Sequence, residues 1–210
     1  MQKQFVKKTY GLFKPEKNGN GFAFCVNKIM NVPVCADCDS LGGRLKIDVK
    51  KNAVAKINAF LTDSESFDLQ IVLSEHSSIK LNFIFRASGG RRQRISVNCG
   101  VNVPFAVCDI NIKGVVEGDS YVNCAGMISV SDNGNGAEVS LKESVLLLDE
   151  GSKADLIPGL NIQNNDVKAV HSAGVSKINP EKLFYFMSRG ICEREAKKMI
   201  AEGFIHTIAE

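Results

Sequence analysis

The sequence predicts a mainly β protein, a solenoid, a sandwich or a barrel, that ends in a short helical segment. Short runs of alternating apolar and polar residues recur from about Leu45 to Val175. Turn-forming clusters separate them, and no amphipathic helix intervenes before Asn179. Strict alternation puts one face of a strand against a core and the other in solvent. The missing helices exclude repeated βαβ units.

Residues 1–44 read as N-terminal strands or a cap, with candidate strands at 5–13 and 21–26 and a connection at 40–43. The β core spans residues 45–178. Its candidate strands lie at 67–73, 79–85, 94–97, 108–112, 121–130, 137–141, 145–148, 160–162 and 167–171. In one of them Ile79, Leu81, Phe83 and Phe85 alternate with Lys80, Asn82 and Ile84. Turns fall at Ser88-Gly89-Gly90, Glu117-Gly118-Asp119, the glycine-rich stretch 132–136, and 149–152. Short strands at a loose, regular spacing suit stacked coils that share one core, and a sandwich equally.

Residues 179–210 form the helical segment. Asn179-Pro180-Glu181 combines a capping side chain, a proline at the first helical position and an acid at the positive end of the dipole. Leu183, Phe184 and Met187 give that helix an apolar stripe, and Gly190 ends it. A second helix starts near Cys192, with Ala196, Met199, Ile200 and Phe204 on its apolar side. Helices this short need something to pack on.

Bulk properties exclude more than they assign. A net charge of +3 gives no global case for nucleic acid. The arginine-rich stretch 86–94 is a solvated connection or a phosphate- or partner-binding loop. It is not a P-loop, since no Gly-Lys-Ser/Thr follows. The polar start MQKQFVKK and the short apolar runs lead to an expectation of a cytoplasmic protein. Seven cysteines at irregular spacing read there as free thiols. Cys35 and Cys38 form a C-x-x-C pair that could grip a metal or act in redox exchange, or be structural. No serine-hydrolase elbow or zinc-protease motif occurs, so no catalytic residue is assigned.

From about Pro158 to Phe204 the chain resembles the C-terminal part of the SufB/SufD family of iron–sulfur cluster assembly proteins. The match is carried by Asn165-Asp166-Val167-Lys168, His171-Ser172-Ala173-Gly174, the run LFYFMSRGI at 183–191, then Glu195-Ala196, Met199-Ile200 and Gly203-Phe204. The resemblance implies a right-handed parallel β-helix with a small C-terminal two-helix segment. It implies a non-catalytic scaffold that binds a SufC-like ABC ATPase and pairs with a second SufB/SufD-type subunit or with itself as a homodimer. It makes His171 a candidate ligand for an iron–sulfur cluster that is transient or shared with a partner, and Cys35 and Cys38 remain weaker metal candidates. Partner-binding candidates are Phe184, Met187, Arg189, Met199 and Phe204. Family members are commonly about twice as long. Where SufB carries a cysteine ahead of the histidine, this chain has Ile162, so it looks like a short, SufD-like form. A polysaccharide-active β-helix enzyme and a plain interaction module are the alternatives.

Overall fold

The computed structural model describes residues 16–18, 21–26, 30–34, 43–62 and 65–206, with side chains from residue 43 onward. Among the described residues thirteen strands form two sheets, and from β2 onward they alternate between them. They are β1 (Glu16–Asn18), β2 (Gly21–Val26), β3 (Met30–Val34), β4 (Arg44–Val49), β5 (Val54–Thr62), β6 (Ser66–Leu73), β7 (Ser78–Ala87), β8 (Arg92–Val101), β9 (Val107–Val116), β10 (Tyr121–Val130), β11 (Ala137–Leu147), β12 (Lys153–Ile162) and β13 (Val167–Lys177). Two helices follow, α1 (Pro180–Ser188) and α2 (Glu193–His206).

Even-numbered strands stack in the order β2-β4-β6-β8-β10-β12, with β1 beside β2. Odd-numbered strands stack as β13-β11-β9-β7-β5-β3. Every pairing except β1 with β2 is parallel. Each coil therefore sends one strand to each sheet, which makes the β core a parallel β-solenoid and removes the sandwich alternative. The expected cap region already contributes β2 and β3, in parallel register with β4 and β5. The candidate strand at 5–13 and the pair Cys35 and Cys38 lie outside the described residues.

The coil lengthens along the chain. Arg44 pairs with Asp68, 24 residues on, whereas Tyr121 pairs with Lys153, 32 residues on. Strands lengthen as well, from 6 residues in β4 to 11 in β11. Inward positions are filled by branched and aromatic side chains: Leu45, Ile47, Ile71, Phe67, Phe83, Phe85, Ile95 and Ile110 are all at most 2% exposed. Phe67 and Phe83 stack across the core with centroids 5.3 Å apart. Each fully buried side chain of this kind contributes about 1.5–3 kcal/mol.

One corner of the solenoid repeats a left-handed residue in each coil: Asn52, His76, Phe105 and Gly136, with φ of 59°, 52°, 57° and 67°. Their N–H groups donate to Glu75, Pro104, Asn135 and Asp166, the carbonyl just ahead of the equivalent corner in the next coil, except that Asp166 heads no such corner. Phe105 adopts this conformation at a cost of ~1–2 kcal/mol. Its ring stacks on His76 with centroids 5.0 Å apart and overlies Gly136, where a Cβ would collide with it. At the opposite corner Ser120 and Ser152 are buried and satisfied: Ser120 accepts from the Gly90 N–H, and the Ser152 hydroxyl donates to the carbonyls of Val116 and Gly118.

One sequence expectation needs correction. The segments 137–141 and 145–148 are not separate strands; β11 runs unbroken through Lys142-Glu143-Ser144. Three polar residues in a row read as a break because an inward-facing acid violates the alternation. The stretch 86–94 holds the connection read from the sequence, a tight turn at Gly89-Gly90 between β7 and β8, with Arg86 paired to Glu117 and Arg92 lying over the Tyr121 ring.

Candidate partner-docking face and solenoid end

Among the residues with described side chains, the last coil, β12–β13, is the least covered part of the solenoid. Its strands continue the alternation of the coil beneath: Val130 pairs with Ile162, Leu141 with His171, and Val145 with Val175. The inward positions of the penultimate coil are buried, yet Ile162 is 39% and Val175 45% exposed. Leu156, Leu160, Val167 and Ala169 are only half-buried. A solenoid end with apolar inward residues open to solvent calls for a cap or a partner.

His171 sits in the middle of that open end. Its position on β13, directly above Leu141, places it on the core-facing side of the strand, and it is exposed. Neither Asp166 nor Ser172 hydrogen-bonds to its ring; the Asp166 N–H instead donates to Asn164 Oδ1 at 2.8 Å. Among the described residues no three His, Cys, Asp or Glu side chains gather as a metal site.

The interior cysteines are structural in character. Cys99 and Cys108 face one another across the core with sulfurs 3.2 Å apart. The contact with Cys99 and the surrounding burial push the Cys108 thiol well above its usual range. Burial, helped by the nearby Glu143, pushes Cys124 up as well. Thiols held neutral in this way are poor nucleophiles.

Glu143 is the functional-looking residue that sequence reasoning passes over. It is 1% exposed on the inner face of β11, and neither carboxylate oxygen has a hydrogen-bond partner. Burial pushes its carboxyl up to about 7. The Gly126 N–H favours the charged form from nearby without completing a hydrogen bond.

The two helices play unlike parts. Asn179 Oδ1 accepts from the Glu181 N–H at 2.8 Å, and Gly190 follows the end of α1 with φ +83°, so both predicted signals operate. The second helix is anchored to the outer face of the odd-numbered sheet. Ala201 packs into a cluster with Val115, Leu146 and Leu148, joined by Ile200, Phe204 and Ile205. Lys113 Nζ donates to the Phe204 carbonyl at 3.0 Å and lies 4.8 Å from its ring centre. Desolvation there lowers the Lys113 pKa. Lys197 bridges Asp149 and Glu193, each at 2.8 Å, tying α2 to the β11–β12 turn.

No residue of α1 is buried. Phe184 is 73%, Tyr185 56% and Met187 46% exposed, and Met199 on α2 is 47% exposed. Arg189 lies over the Tyr185 ring at 5.2 Å. Of the predicted partner residues, Phe184, Met187, Arg189 and Met199 are therefore exposed, while Phe204 is half-buried against the sheet. Tyr185 belongs to the same exposed run, and its place in LFYFM was the signal for it. No helix among the described residues is long and apolar enough to cross a membrane.

Comparison with known proteins places this geometry. Residues 43–204 match the family described as SUF system FeS cluster assembly, SufBD core domain. An iron–sulfur cluster assembly SufBD family protein of Mycobacterium bovis is 36% identical over 107 residues, 51% of this chain and 13% of that protein. One from Staphylococcus epidermidis is 33% identical over 135 residues, 64% of this chain and 29% of its own length. The iron–sulfur cluster assembly protein SufB of Bacillus subtilis is 38% identical over 93 residues, 44% of this chain and 20% of that protein. The matched segments thus cover less than a third of each of these relatives. The match at 43–204 takes in the solenoid from β4 onward and nearly all of the helical segment, and by it the chain belongs to the SufBD family.

Proposed function

We propose that this chain is a non-catalytic subunit of iron–sulfur cluster assembly, joining two partners at two separate surfaces. The observation that carries the reading is the exposed apolar surface at the C-terminal end of a SufBD core. Ile162 and Val175 stand open on the last coil, and Phe184, Tyr185 and Met187 on α1. Clustered apolar exposure of this kind marks an interaction surface. The first surface pairs with a second SufB/SufD-type subunit or with another copy of this chain. The second docks a SufC-like ABC ATPase, with α2 holding α1 in place.

The cluster is cargo in this reading. His171 is the one candidate ligand in the described open end, and iron–sulfur clusters are held mainly by cysteine sulfur. The thiolates would come from the partner subunit, so His171 contributes only in the paired complex. The test is anaerobic reconstitution of the mixed complex with iron and sulfide. Changing His171 to Ala should leave folding and ATPase binding intact and lower the iron content. Unchanged iron content confines this chain's role to interaction.

A further inference from the structure

Glu143 lies in a niche that the fold builds for it. Across the core on β10, Gly126 has no side chain; a Cβ there would collide with Glu143 Oε1 and approach both Leu141 methyls to 3.0 Å. Beneath Glu143 in register is Ile112 on β9, and above it is Ala173 on β13. Above Gly126 is Pro158 on β12. The floor and walls of the niche are thus packed core, while its roof is the last coil, where Ala173 is exposed and Pro158 half-buried. Water can reach the carboxylate with least disruption by lifting that roof.

We infer that Glu143 makes β12–β13 a proton-controlled closure: the last coil stays packed over the neutral carboxyl, and ionisation favours a state in which the coil lifts and the carboxylate is hydrated. An unpaired buried carboxylate costs several kcal/mol, so it finds either a proton or water. No cation faces it from the elements around it. On β10 the titratable inward neighbour is Cys124, whose thiol stays neutral. On β9 the inward residues nearest in register are Ile110, Ile112 and Gly114, and on β12 they are Leu156, Pro158 and Leu160. On β13 the residue above Glu143 is Ala173; His171 stands one inward position away, above Leu141, and is exposed. The cost of opening is small there, because the last coil's inward side chains are half-buried or exposed, unlike those of the coil beneath.

Hydrogen–deuterium exchange of the full chain at pH 5, 6, 7 and 8, corrected for intrinsic rates, tests this. Residues 153–177 should lose protection by up to about tenfold per pH unit between pH 5 and 7 and level off towards pH 8, with residues 92–116 unchanged. Glu143→Gln and Glu143→Leu should each abolish that dependence, and His171→Ala should keep it. A pH-independent last coil in the wild type overturns the proposal. So does an equal loss across all strands, persistence of the effect in Glu143→Gln, or its disappearance in His171→Ala. The wild-type profile alone decides the matter if a variant fails to fold.

Discussion

Single residues decide how the solenoid interior is filled. Gly114 faces inward, and a Cβ at that position would overlap the Phe85 ring. Gly114→Ala should therefore destabilise the protein by about 1–3 kcal/mol, read from urea unfolding. Adding Phe85→Leu should recover part of the loss, and an additive double variant would refute the packing account. Glu143 gives a pH signature. Its folded-state pKa is raised from 4.5 to about 7 by burial. The associated stability is fully present below about pH 4.5 and is lost as pH rises through 7, at most roughly 3 kcal/mol. Glu143→Gln should remove this slope and leave the protein more stable at pH 8; an unchanged slope contradicts it. The Asn179 cap was legible from its neighbours in the chain, because capping is local. Glu143 was not, because its burial depends on Gly126 in another coil.

At the level of elements, alternation identified most strands, and β10 matches its sequence reading end to end. It failed at β11, where the inward acid interrupts the apolar series. The helices were legible in position but not in role: the apolar residues of α2 meet Val115 and Leu146 on a sheet face that neither sequence segment reveals. Ala201 is 3% exposed at that contact. Ala201→Asp buries a charge there and should free α2, seen as rapid proteolysis within residues 178–206 with the β core intact. Retained resistance would show that α2 is held by Lys197 and Lys113 instead. Phe184→Ser touches no buried contact and should leave the unfolding free energy within about 0.5 kcal/mol of wild type.

For the whole molecule, the family resemblance supplied the parallel β-helix that spacing alone left open. Which coil would be exposed was not legible, because burial of β12 and β13 depends on what stacks above them. The exposed inward residues Ile162 and Val175 lead to an expected pairing of subunits at this end. Val175→Asp should lower sedimentation mass to that of one chain without unfolding it; a wild-type monomer at micromolar concentration would count against self-pairing. In the proposed function the exposed face of α1 docks an ATPase. Titration calorimetry of the full chain with a SufC-like ABC ATPase tests it most directly, using wild type and the double variant Phe184→Asp/Met187→Asp. Saturable binding is expected that weakens at least about tenfold in the double variant, a loss of roughly 1.4 kcal/mol, with an unchanged unfolding midpoint. Equal affinity in both proteins, or no binding by the wild type, would contradict it.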